Sequence, residues 1–472
     1  MVIFRPTIGP GSRLWRIAFL TLIIVGVTIG IFLPRISLPL LATGMVGLLG
    51  AVSIFGLMLK FFRQALMFLF FLFPFYYLPY YLSSLNRMDM GFAEEGFWFR
   101  AAKDGILLII IAVWLTRLVL LGRLKARLTL VSIAMVGYLT FGLVRSLGFS
   151  LNGTLDVLRL FVEFTIFFFI VPDTFTNETQ LRHLIWIWIL PSVGVSILGF
   201  IEFFFGGNTV FTVAAGQTRI ISTLFNPNAL GWYLTWVNGL TFGLYLAANT
   251  RKARWVLLII MGLNGATIIL SGSRSSLLVM AVMLCFTLVM SRRPRVLFML
   301  IFIFSAIVVS ITVAQQFSGI ILFRALSFAD VTDMRNERIA ETLPNVFNSP
   351  LDLLWGRGDI WEQGLEGASS LNVDAQYLNI LYSGGIMGFL LLGIILLGTS
   401  RNLWRLHLRS HPLALPLLLS SFAVILIGFM GSIFILFPGA LFFWSTAGLA
   451  NRLARFKVTR PQSCIRCEAL RK

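Results

Sequence analysis

Residues 371–389 read LNVDAQYLNILYSGGIMGF. From Tyr377 onward the stretch is apolar, and the run continues over 376–399. That is long enough to cross a bilayer, since a span needs about 20 apolar residues. Its mouth is polar: Asn372, Asp374 and Gln376 stand two apart. Further in, Gly384, Gly385 and Gly388 allow a neighbouring helix to approach closely. A membrane span with an acid at its lip is therefore the unit from which the rest of the chain is read.

The composition agrees with that unit. Hydrophobic residues make up 58% of the 472 and charged residues 12%, with a mean hydropathy of +0.90. A soluble domain carries about 25% charged residues, so most of this chain belongs in lipid, where packed helices satisfy their own backbone. Fourteen apolar runs lie between residues 15 and 450, and merging the short pair 255–270/275–290 or the tight pair 412–430/433–450 leaves twelve or thirteen. The expected fold is all-α: a polytopic membrane protein of 12–14 spans. The run after Arg5, Arg13 and Arg16 is too long for a signal peptide and lacks a small-residue cleavage site, so it reads as an uncleaved first helix. Among three cysteines, Cys464-x-x-Cys467 has no second ligand pair nearby, so neither a disulfide framework nor a zinc site is expected.

The net charge of +19 points to nucleic acid only until the cations are located. They sit in KFFR (60–63), GRLKAR (122–127), RKAR (251–254), SRRPR (291–295), RNLWRLHLR (401–409) and a tail with seven Lys/Arg against one Glu. With the N-terminus inside, all of these fall on the cytoplasmic side, as the positive-inside rule requires. The link 173–182 fits this least well, being acidic as often as basic. His183, His407 and His411 fall on the same inner side. The chain then divides into N-terminal helices 1–214, motif-bearing helices 215–315, an outer loop 316–375, C-terminal helices 376–450 and a basic cytoplasmic tail 451–472. The loop holds nine of the nineteen acids. At sixty residues it is too long for a bare turn and is the expected seat of function.

Polar residues at membrane depth are costly, about 2.5–3.5 kcal/mol for a charge at mid-helix, and so carry information. Arg219 precedes Asn226-Pro227-Asn228, which reads either as a helix start with an interfacial Arg or as a site. SGSRSS (271–276) turns the chain and leaves Arg274 beside helix N-terminal amides, a setting suited to an anion. In MRNERIAETL (334–343), Arg335 and Arg338 have helical spacing and fit a salt-bridged surface helix as well as a site. Asp374 reads as a helix cap or, among guanidiniums that keep it ionised, as a proton acceptor. Arg159 and Glu163, four apart, should pair, and Arg145 and Glu202 near helix ends should snorkel.

In order, these pieces resemble the O-antigen ligase/polymerase superfamily of membrane glycosyltransferases. The resemblance rests on Arg219 before FNPN (225–228), SGSR (271–274), Arg338 followed by Pro350 and Gly356-x-Gly358, and Asp374 to Leu378 before Gly384/Gly385/Gly388. It covers about 215–390 of the chain. It implies a GT-C-like helical fold, a polyprenyl-diphosphate-linked glycan donor at the outer leaflet of a bacterial inner membrane, a glycan or lipid acceptor, and inverting transfer with no cofactor or metal. Arg219 and Arg274 would hold the diphosphate, Asp374 would be the base, and Arg338 would position it. Asn226, Asn228, Gln376, Tyr377 and Arg335 would support the acceptor or the site. Ligases of this superfamily usually carry His-Asn where this chain has Asp374-Ala375, which ranks an exopolysaccharide or O-antigen polymerase above a ligase. Chain-length or export proteins are possible partners. A flippase or transporter stays open as a reading, as does a scaffold for export, though transporters show repeats and midplane polar residues.

Overall fold

The computed structural model describes residues 53, 55–78, 92–121, 129–147, 162–205, 211–213, 217–224, 226–291, 349–356, 376–431, 433–434 and 438–454. Arg159, Arg335, Arg338, Asp374 and the tail from 455 lie outside them, as do the runs 15–33 and 296–315. The helices are α1 (Phe62–Leu72), α2 (Phe92–Leu121), α3 (Leu130–Leu147), α4 (Phe167–Thr174) and α5 (Glu178–Phe205). They continue as α6 (Pro227–Ala247), α7 (Arg251–Leu270), α8 (Arg274–Ser291), α9 (Pro350–Trp355), α10 (Gln376–Leu408), α11 (Ala414–Gly428) and α12 (Gly439–Leu453). Among the described residues the fold is all-α apart from one small hairpin, β1 (Phe211–Val213) and β2 (Gln217–Arg219), which the apolar pattern does not announce. Among the described residues, α5, α7 and α10 are long and apolar enough to cross a membrane.

The chain forms two compact units, Met1–Phe68 with Ala102–Arg127, and Leu69–Ala101 with Leu128–Lys472. In the first, Arg117 donates to the Leu59 carbonyl at 2.9 Å and lies over the Phe62 ring. The second is built around α6, buried along nearly its whole length. Glycine makes that possible. A Cβ on Gly239 would lie 2.7 Å from the Ser420 backbone, and one on Gly243 would strike Pro416, so α6 and the antiparallel α11 touch backbone to backbone. Polar side chains tie the other neighbours: Asn264 of α7 bonds Ser192 and Ser196 of α5 and Asn238 of α6. Trp188, Trp236 and Phe442 stack beside them, with Trp236 and Phe442 4.8 Å apart.

Several expectations shift. The RNLWRLHLR stretch is not a loose connection: α10 runs helically through it to Leu408. The paired short runs 255–270 and 275–290 are separate helices, α7 and α8, joined by a tight turn at Gly272 (φ +60°).

Candidate functional site

Arg219 ends β2, paired opposite Phe211. Beyond it the chain is strapped down on α5. The N–H groups of Ile221 and Ser222 donate to the Glu202 carboxylate at 3.1 and 2.7 Å. The Ser222 hydroxyl donates to the Val195 carbonyl, and the Thr223 hydroxyl to that of Pro74, both at 2.7 Å. Ser222 holds φ +49°, which a non-glycine residue adopts only when its surroundings demand it. Glu202 does not snorkel as a charge at a helix end should. It is buried, because two backbone amides give it what water would have given.

The strap leads into Asn226, which caps α6. Its side-chain oxygen accepts from the N–H groups of Asn228 and Ala229, and Pro227 occupies the first turn, where no N–H is needed. Arg219 then links two motifs that lie more than forty residues apart. Its Nε donates to the Ser271 carbonyl at 2.7 Å, and its Nη2 donates to the Asn228 side chain at 2.9 Å. Gly272 lies against the same guanidinium, where a Cβ would come within 3.3 Å of Nε. Arg219, Asn226, Asn228 and the SGSR turn are thus one cluster.

The serines of that turn do structural work. Ser273 and Ser276 share a hydrogen bond at 2.8 Å, and Trp232 Nε1 donates to Ser275 at 3.0 Å. A Cβ on Gly231 would sit 2.5 Å from Ser276 Oγ, so α6 and α8 are wedged together. Arg274 opens α8, half-buried, at the same end of the bundle.

Gln376 and Tyr377 open α10. Gln376 is buried, and among the described residues its Oε1 meets no donor. Tyr377 donates its hydroxyl to the Ile425 carbonyl at 2.8 Å and lies against Gly428 and Phe429. Its proton is spent on the protein, so only its oxygen lone pairs are left to a sugar. Trp232 presses on Gly431, three residues beyond Gly428. The turn closing α11 therefore bridges the Arg219 cluster and the mouth of α10 at one end of the bundle.

A second junction lies beside α10. Ser349 caps α9, accepting from Asp352 N–H at 3.0 Å. The helix ends at Gly356 (φ +75°, ψ 170°), which faces a break in α10 at Gly385 (φ +58°, ψ −162°). Both backbones lie in a region open essentially to glycine alone. A Cβ on Gly385 would be 2.5 Å from Gly356 N, and one on Gly356 would strike the Ser383 carbonyl. Arg145 donates to the Gly356 carbonyl, and Trp355 stacks on Phe141 at 6.1 Å. Arg145 is therefore a clamp rather than a snorkelling charge.

Glu202 and Arg145 are the residues that sequence reasoning read only as snorkelling charges. Each bonds backbone groups, which a sequence does not advertise. Among the described residues, no three His, Cys, Asp or Glu side chains come together as a metal site needs.

A comparison with curated proteins finds no match. Residues 255–393, which include the SGSR turn, α9 and the start of α10, match the family model described as O-antigen ligase, and this supports membership of the chain in the O-antigen ligase/polymerase superfamily of integral-membrane enzymes of surface glycan synthesis.

Proposed function

We propose that the chain is an inverting, metal-independent glycosyltransferase that polymerises polyprenyl-diphosphate-linked oligosaccharides at the outer leaflet of a bacterial inner membrane, with both termini cytoplasmic. The observation that carries this reading is the Arg219 guanidinium, fixed between Asn228 and the Ser271 carbonyl at the helix ends that also present Arg274. A rigid, permanently charged fork suits a diphosphate, and helix N-termini favour the same anion. Arg219 and Arg274 hold the diphosphate of the donor. The acceptor hydroxyl oxygen attacks the anomeric carbon, and the bond from that carbon to the phosphate oxygen breaks. The electron pair leaves with the polyprenyl diphosphate, and the hydroxyl proton passes to Asp374. Arg338 orients the carboxylate, Arg335 lends charge beside it, and Asn226 and Asn228 hold Arg219. Gln376, with a buried unsatisfied oxygen, takes a hydroxyl of the incoming sugar, and Tyr377 shapes the mouth. The five segments bounded by 214, 315, 375 and 450 serve as scaffold, motif helices, loop, closing helices and tail.

The test is transfer from a synthetic lipid-linked oligosaccharide by purified protein in liposomes. Asp374→Ala should lower turnover about 10²–10⁴-fold, the usual contribution of a general base, and Arg219→Ala and Arg274→Ala should raise the donor requirement. Unchanged transfer by Asp374→Ala and Arg274→Ala would remove the assignment. A ligase is the second reading, favoured by the description of the matched family. It predicts product on a foreign acceptor lipid, whereas a polymerase leaves longer chains on polyprenol.

A further inference from the structure

The geometry points to Glu202 as a positioning residue for Arg219, acting through the strap 220–222 rather than on substrate. This rests on the reading of Arg219 as a diphosphate ligand. Glu202 is 1% exposed, and its carboxylate accepts from Ile221 N–H at 3.2 and 3.1 Å and from Ser222 N–H at 2.7 Å. A carboxylate buried in a membrane helix is expensive unless its oxygens are satisfied. Here they are satisfied by the two amides that follow Arg219 and Ile220 in the chain. Charge-assisted bonds to N–H groups are short and directional, so they set where the backbone leaves β2 and hence where the guanidinium starts.

Nothing else in the segment does this alone. Ile220 is buried against α5, where a Cβ on Gly199 would come within 3.1 Å of it. That contact gives depth, but apolar packing gives little direction. The hydroxyls of Ser222 and Thr223 hold the segment beyond the turn. Glu202 binds at the turn itself, where Ser222 takes its positive φ. Without the carboxylate, two buried N–H groups lose their acceptor and the turn relaxes. Arg219 then keeps its charge but loses its register with Asn228 and Ser271.

The experiment is a double-mutant cycle in liposomes with a synthetic lipid-linked oligosaccharide as donor. Glu202→Gln keeps the size of the side chain but turns one acceptor into a donor facing an N–H. It should raise the donor KM about tenfold and leave kcat within about threefold, the pattern of a lost binding interaction. In an Arg219→Ala background the same change should add nothing, because the residue it positions is gone. An equal rise in both backgrounds, or none in either, overturns the inference while leaving the diphosphate reading intact. If Arg219→Ala alone leaves the donor KM unchanged, both fall together. Should Glu202→Gln fail to accumulate in membranes, Glu202→Asp replaces it. That variant keeps the carboxylate but draws it back by one methylene from the Ile221 and Ser222 amides, and it must show the same cancellation, or Glu202 does not position Arg219.

Discussion

The junction of α9 with α10 gives the sharpest test of how the outer segment is seated. At Gly385, φ +58° and ψ −162° exclude a side chain on conformational grounds alone, about 1–3 kcal/mol. Alanine there also places a methyl 2.5 Å from Gly356 N and 2.6 Å from the Leu354 carbonyl carbon and oxygen. These are backbone atoms and cannot swing aside, so overpacking adds about 1–3 kcal/mol. A total of about 4 kcal/mol is more than a six-residue helix clamped at one carbonyl can hold. The expected relief is undocking of α9 from α10. Leu353 and Gly356 N–H donate to Ser349 and Asp352 carbonyls when α9 is docked. In Gly385→Ala their amide hydrogens should therefore exchange about 10³-fold faster, with glycan transfer lost in parallel. Gly393→Ala in the same helix meets nothing within 4 Å and serves as the control, with exchange and transfer unchanged. If Gly385→Ala keeps both slow exchange and full transfer, the interlock is not what seats this segment.

Gly239→Ala should cost about 2–3 kcal/mol, because its Cβ would meet Ser420 backbone at 2.7 Å. The readout is a lower melting midpoint in detergent. Asn264→Ala removes the bonds to Ser192, Ser196 and Asn238 and should lower stability by about 1–2 kcal/mol, the range for polar contacts between membrane helices, read as a fall in the same midpoint. His411, in the turn before α11, has its pKa held below 6.5 by burial, with Arg182 acting in the same sense and Glu178 opposing. Leu413 N–H donates to its Nδ1 at 3.3 Å, which also favours the neutral ring. The folded chain takes this proton less readily than the unfolded one, so stability is full above pH 6.5 and falls as pH drops below it. His411→Gln should flatten that part of the melting-versus-pH curve.

The helical class was legible because a bilayer permits few other solutions: the apolar runs 255–270, 275–290 and 412–430 fall on α7, α8 and α11 to within a few residues, and the run 376–399 finds the start of α10. The Asn226 cap was legible too, from Asn-Pro-Asn alone. What the pattern hid has a common cause. The hairpin around Arg219 carries no alternation that separates it from apolar helix. Gly385 read as a helix-packing glycine and Gly356 only as part of a Gly-x-Gly motif, since nothing in one dimension says that two positive-φ residues face each other. That the Tyr377 hydroxyl donates to the Ile425 carbonyl was hidden too, because an exposed phenol and one bonded to backbone read alike.

Charge use follows one rule that the sequence could not display. A helix leaves its last carbonyls without partners, and in lipid there is no water to supply them. Arginine supplies them here: Arg219 at Ser271 closing α7, Arg254 at Ala248 closing α6, Arg145 at Gly356 closing α9, and Arg452 at Pro172 in the last turn of α4. Each of these cations thus answers a partial negative charge, the C-terminal end of a helix dipole. Glu202 is the mirror case, an acid answering free N–H groups. A backbone carbonyl can in this way hold a guanidinium in one geometry. At Arg219, where the end of α7 meets the start of α6, the device that closes the backbone is also the side chain proposed above to hold the donor diphosphate, so on that proposal fold stability and anion affinity are drawn from one residue.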